Sequence, residues 1–192
     1  MLARLRSIGE DVLTRSEEER MKLRSLILVA VFVFVTGMFF SAVSAQRRTH
    51  DPQVIRTIGN ETFEANALIQ ATFRFSPERS FPHTGDKVRL VDDDRTDEPH
   101  TLTIVRRGQL PTSIQEVFEC DACNAALEGH FAEGEPPILK VNVGAPGLDQ
   151  PGDSLWLAPS ASISSKVSAP AGTTLYFLCA IHGWMQGRLT VG

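Results

Sequence analysis

The sequence predicts an all-β protein: an antiparallel β-sandwich with a short helical insertion, preceded by an apolar N-terminal helix. Three observations carry that prediction. Short alternating or β-branched runs recur from Asn66 to the C-terminus, with turn signals between them. The stretch from Pro111 to Glu133 loses this rhythm and opens on a helix start signal. Ser25 to Ala45 contains no charged residue, and LILVAVFVFVTGMFF within it is almost wholly apolar.

The first 24 residues are charged. Arg4, Arg6, Arg15, Arg20, Lys22 and Arg24 stand against Glu10, Asp11, Glu17, Glu18 and Glu19. The basic cluster from Arg20 to Arg24 adjoins the apolar run and holds residues 1–24 on the cytoplasmic side. Residues 25–45 then read either as a transmembrane anchor or as a signal peptide. Ala42-Val43-Ser44-Ala45 has the small residues a signal peptidase needs, and Met21 is an alternative start for an ordinary signal peptide. Against cleavage, 24 residues make a long leader, so the reading leans to a retained anchor. Either way the remainder is exported. The expected location is the cell membrane with the folded domain on the extracytoplasmic side, or the periplasm after cleavage behind Ala45.

Residues 46–62 are polar and mixed in sign and read as a spacer, which leaves 63–192 as the folded domain. NALIQATFRF alternates as a strand and stops at Ser76-Pro77. A turn at Thr84-Gly85-Asp86 opens a strand from Lys87 to about Val91, and HTLTIV from His100 is the next, with Leu102 and Ile104 on one face. Between them lie Asp92, Asp93, Asp94, Asp97 and Glu98. This run reads as a solvated loop, with Ca²⁺ binding as the alternative.

In the insertion, Ser113-Ile-Gln-Glu116 has the capping-box spacing. Ile114, Val117, Phe118, Ala125 and Leu127 are expected to line its buried face. Cys120 and Cys123 form a C-x-x-C, best read in an exported chain as a local disulfide. A second metal site with His130 and a redox dithiol stay open behind that reading. Beyond Pro136-Pro137, ILKVNVG reads as a strand with Ile138 buried, DSLWLAP as an edge strand, and Pro170-Ala171-Gly172 as a tight hairpin turn.

The stretch GTTLYFLCAIHGWMQGRLTVG closes the chain. Thr173 to Leu178 is β-branched and aromatic and reads as a strand, so Cys179 shares a face with Leu175 and Phe177. His182 and Met185 follow on a turn that Gly183 lets fold back, and Arg188 to Val191 returns as a strand. A thiolate, an imidazole and a thioether in seven residues are the donors copper prefers, and a trigonal site needs one more histidine. His100, at the start of its own strand, is the candidate, whereas His83 reads as a surface residue.

A distant His completed by a C-x2-H-x2-M loop resembles the cupredoxin family of small copper proteins. The spacing is similar to that of the amicyanins, whose ligand loop is shorter than that of the plastocyanins. The resemblance covers roughly the last 130 residues. It implies a Greek-key sandwich holding one type 1 copper ion. His100 and His182 would be its imidazole ligands, Cys179 the thiolate and Met185 the axial ligand.

The implied function is electron transfer between redox protein partners outside the cytoplasmic membrane. Trp184 beside His182 would form part of a docking rim or cap the core. Copper binding and delivery without redox turnover is the alternative. Enzymatic chemistry is disfavoured, because four ligands leave no open position for substrate. Nucleic acid is excluded by charge. Past residue 24 the chain carries 13 basic against 18 acidic residues, a net of about −5, where phosphate binding needs a basic footprint.

Overall fold

A computed structural model describes residues 52–192. The charged lead, the apolar segment 25–45 and the start of the spacer lie outside these residues. Among the described residues no helix is long and apolar enough to cross a membrane.

The described residues run through twelve strands: β1 (Gln53–Ile58), β2 (Glu61–Glu64), β3 (Leu68–Ala71), β4 (Arg74–Ser76), β5 (Arg79–Ser80), β6 (Lys87–Asp92), β7 (His100–Val105), β8 (Lys140–Val141), β9 (Ser154–Leu157), β10 (Ser162–Lys166), β11 (Thr174–Leu178) and β12 (Gln186–Thr190). They form a four-stranded sheet in the order β10-β6-β1-β4 and a six-stranded sheet in the order β5-β12-β11-β7-β9-β8. A separate hairpin pairs β2 with β3. The pairing is antiparallel except at β1–β6 and β5–β12, which run parallel. The antiparallel sandwich expected from the sequence is therefore a mixed one. Neither parallel pair joins consecutive strands. The chain leaves the first sheet at β4→β5 and returns at β5→β6 before β1 and β6 pair. It crosses again at β6→β7, β9→β10 and β10→β11 before β5 and β12 pair.

The core lies between the two sheets. Ile55, Val88 and Leu90 face it from one side; Leu102, Ile104, Leu155, Leu157, Leu175, Phe177 and Leu189 face it from the other. Each side chain removed from water in this way contributes roughly 1.5–3 kcal/mol, so these inward positions hold the two sheets together. At Gly187 the packing leaves no room for a side chain. A Cβ there would stand 2.6 Å from the Glu78 carbonyl oxygen and collide with the Phe177 ring.

A 3₁₀ turn (Arg107–Gln109) leads into the insertion, which contains two helices, α1 (Ile114–Phe118) and α2 (Asp121–His130). Ser113 caps α1 by accepting the Glu116 backbone N–H at 3.2 Å. The Glu116 carboxylate reaches Thr112 N–H at 2.6 Å rather than Ser113, so the reciprocal bond is displaced by one residue. The helices bury a different face from the one expected. Ile114 and Phe118 are 71% and 79% exposed, while Cys123, Ala126 and His130 are buried. These side chains lie over the outer face of the six-stranded sheet, where Val105, Leu178 and Ala180 complete a second apolar cluster. As a result every residue of β7 is buried, on both faces.

Four other expectations are corrected. The spacer holds β1, whose Ile55 is fully buried in the core. The strand after Pro137 shrinks to β8, and Ile138 is half-buried. β9 is no edge, because β7 and β8 flank it and all four residues are buried. The turn at 170–172 joins strands of different sheets and is no hairpin.

Candidate metal centre

Two neighbouring strands of one sheet bring the predicted donors together. β11 pairs antiparallel with β7, matching Phe177 to Ile104 and Leu178 to Thr103. Continuing that register places Cys179, one residue past β11, opposite Leu102, on the same face as His100 two residues away. Backbone bonds then close the loop. Cys179 N–H donates to the Met185 carbonyl at 3.0 Å, and Met185 N–H donates to the His182 carbonyl at 2.7 Å. Gly183 does not need a left-handed backbone here. Its bare Cα instead lies near Val117 and the Cys123 sulfur, where a Cβ would make ordinary contacts at 3.5–3.6 Å.

The donor atoms converge. Cys179 Sγ lies 3.8 Å from both His100 Nδ1 and His182 Nδ1, and the two imidazole nitrogens are 3.2 Å apart. Cys179 and His100 are fully buried, Met185 is 1% exposed and His182 is 7% exposed. His182 is thus less open than its loop position suggests. The Phe73 ring lies 4.7 Å from it and the Trp184 ring 5.2 Å, with Trp184 42% exposed.

Charge favours a thiolate at this point. Burial pushes the Cys179 thiol up, but hydrogen bonds and charge from His100 and His182 outweigh it and bring its pKa down to about 6. Thr101 N–H adds a further bond to the sulfur at 3.3 Å. Burial opposes the protonated form of His100, yet Cys179 and Asp94 together raise its pKa.

Asp94 is the residue the sequence reading misplaced. Its carboxylate meets His100 Nε2 at 2.5 Å with neither side chain exposed. Asp94 also accepts from the Thr96 hydroxyl at 2.7 Å and backbone N–H at 3.0 Å. Asp92 accepts from the Thr57 hydroxyl at 2.7 Å and Ser160 N–H at 2.6 Å. Only Asp93 and Asp97 of the acidic run are exposed. The loop is therefore half an inner scaffold. Asp94 fixes the His100 ring, leaving Nδ1 to face the sulfur. No sequence signal separated these two carboxylates from their solvated neighbours. Phe73 was missed as a flank of His182, although it alternates with Phe75 within NALIQATFRF.

The donor set fits copper. One soft sulfur and two imidazole nitrogens converge in a space closed to water, and a thioether side chain is buried at the end of the same loop. Elsewhere, Cys120 and Cys123 form the expected disulfide. His130 joins no metal cluster among the described residues. Its Nδ1 contacts the Ile138 carbonyl at 2.6 Å and its Nε2 contacts Ser154 Oγ at 2.7 Å. His83 is exposed and lies 3.4 Å from Asp86.

No protein-family model matches the chain, and none of the curated proteins compared with it does. Among solved structures it is similar to the purple cupredoxin of Nitrosopumilus maritimus, at 13% identity and a TM-score of 0.40, covering 73% of this chain and 99% of that one. It is similar also to auracyanin A, a "blue" copper protein of Chloroflexus aurantiacus, at 18% identity and a TM-score of 0.40, over 74% and 100% of the two chains. A copper-containing nitrite reductase of Thermus scotoductus shares 13% identity at a TM-score of 0.39, over 78% of this chain and 24% of that one. Likenesses at this level leave the reading of the site to the chain's own distances, burial and donor chemistry.

Proposed function

We propose that residues 63–192, with β1 added to them, form a cupredoxin-like domain that carries single electrons on one copper ion. The observation that supports this most is the convergence of His100 Nδ1, Cys179 Sγ and His182 Nδ1 within 4.8 Å of one another, with all three side chains buried. Copper, when bound, supplies a one-electron couple. His100, Cys179 and His182 would hold it, with the buried Met185 thioether as a fourth donor. The protein's part is to keep these donors in place through both oxidation states. The β7–β11 pairing and the 179–185 loop bonds do this for the backbone, and Asp94 does it for the His100 ring. A fixed donor set suits electron transfer, because little has to move when the charge changes.

His182 is the outermost ligand, and its edge lies beside the half-exposed Trp184. Redox protein partners would dock there. Four protein ligands leave no position for substrate, which favours a carrier over an enzyme. The apolar segment 25–45 would place the domain outside the cytoplasmic membrane, anchored or released.

Adding Cu(II) to the metal-free protein should give one equivalent of binding and an intense visible thiolate-to-copper absorption. Cys179→Ser should abolish the absorption. Copper bound tightly as Cu(I), colourless and resistant to oxidation, would sink the carrier reading and support copper delivery instead.

A further inference from the structure

A file of buried hydroxyl groups runs through the six-stranded sheet from α2 to the strand that borders Cys179. His130 Nε2 and Ser154 Oγ are 2.7 Å apart, Ser154 Oγ and Thr103 Oγ1 2.8 Å, and Thr103 Oγ1 and Thr101 Oγ1 3.0 Å. The file ends where Thr101 Oγ1 accepts the Ala180 N–H at 2.7 Å. All four side chains are at most 1% exposed.

The His130 end of the file fixes its direction. The Ile138 carbonyl can only accept, so His130 Nδ1 carries the proton that meets it. Burial, the leading influence on this ring, lowers its pKa and keeps it neutral. Nε2 is then bare and accepts from Ser154. Ser154 has spent its one proton, so it accepts from Thr103, and Thr103 in turn accepts from Thr101. Thr101 Oγ1 is left facing the Ala180 N–H with a lone pair, the one arrangement that satisfies every group in the file. Reversing it would leave the Thr101 O–H with no acceptor in the file, since Thr103 Oγ1 is the partner its proton meets.

We propose that His130 is a positioning residue for the copper centre. By setting the direction of this hydroxyl file it fixes Thr101 and Ala180, which border the Cys179 sulfur. Thr101 donates its own N–H to that sulfur at 3.3 Å, and Ala180 is the next residue after it. The helical insertion thus acts on the thiolate through four side chains without touching it. This inference rests on the copper reading, but its first test does not.

The first test uses the metal-free chain. His130→Phe keeps the ring against Trp156, which lies 5.5 Å away, and removes both nitrogens. Ser154→Ala and Thr103→Val interrupt the file at other links, and Thr103→Ser preserves it. Hydrogen exchange of the Ala180 amide should quicken by about tenfold in each of the first three variants, relative to amides of β12, and stay at the native rate in Thr103→Ser. In the copper-loaded protein the three interrupting variants should shift the visible band and the reduction potential in one direction. Pairs of them should shift it no further than either alone, since the file is already broken. Uniformly faster exchange over the whole core, with band and potential unchanged, would overturn the proposal. So would additive double variants. A chain that binds no copper yet shows the selective change at Ala180 would keep the file and reject the copper reading.

Discussion

The ligand loop, Cys179 to Met185, and the helical insertion, Pro111 to Glu133, hold the same kinds of chemically active residue and use them in opposite ways. The loop has a cysteine and a histidine whose donor atoms point at each other and at His100. The insertion has Cys120 and Cys123 tied to each other and His130 tied to Ile138 and Ser154. In the loop, the donors' unused bonding capacity points to a metal. In the insertion it is consumed internally, so these residues cover a sheet face instead. The lesson is that donor type alone does not identify a site; unspent valence in a buried place does.

That contrast can be broken or sharpened by experiment. The largest effect should be on the thiol itself. In the metal-free protein, ultraviolet thiolate absorbance of Cys179 should be present above about pH 6 and lost as pH falls through that value. His182→Ala removes one of the groups that favour the anion, so the midpoint should rise and thiolate should disappear at higher pH. A wild-type midpoint near the ordinary value of 9.0 would mean that the loop donors do not sense one another.

Replacing a donor should come next. His100→Ala should lower copper affinity by more than the roughly 100-fold that bounds the loss of an outer partner, whereas Asp94→Ala should fall within roughly 10–100-fold. Competition titration against a chelator of known affinity measures both. Equal losses would move Asp94 from orienting partner to ligand.

Cys120→Ser with Cys123→Ser should have a smaller effect. Opening so short a loop should cost about 2 kcal/mol of stability, read by denaturant unfolding, with one copper per chain retained. The bridge is not isolated from the centre, however. Its sulfurs pack with Leu178 and Ala180 on either side of Cys179, and Cys123 Sγ lies close to Gly183. A small shift of the visible band should therefore accompany the loss of stability. Two metals in the wild type and one in the variant would turn the pair into a second metal site. The smallest effect belongs to Phe118→Ser, since this ring is exposed. Stability should stay within about 0.5 kcal/mol.

The sequence made the loop legible because its signal is local. Three donors at fixed spacing follow a β-branched strand, and His100 opens another. What was not legible depended on partners far along the chain. Thr101 and Thr103 have the alternation of a solvent-facing edge, yet α2 buries them. Ile114 and Phe118 have helical spacing for a core, yet the core took Cys123, Ala126 and His130 instead. β1 hid in a polar stretch because only Ile55 and Thr57 are fully buried there, and its place comes from pairing with β4 and β6. Asp94 looked solvated because nothing local shows that its loop folds back over His100.

The spacing of the donors also bears on how metal and folding are linked. Cys179, His182 and Met185 sit within one short segment, while His100 is 79 positions from Cys179 and reaches it only when β7 and β11 pair. An unfolded chain keeps the short segment intact and loses only the distant imidazole. A ligand held by both states stabilises the native one solely by the difference between its two affinities. If copper fills this centre, it should therefore raise the melting temperature by less than its native affinity alone implies. The shortfall measures what three neighbouring donors achieve without a fold, and the remainder measures what the sheet contributes by delivering the fourth.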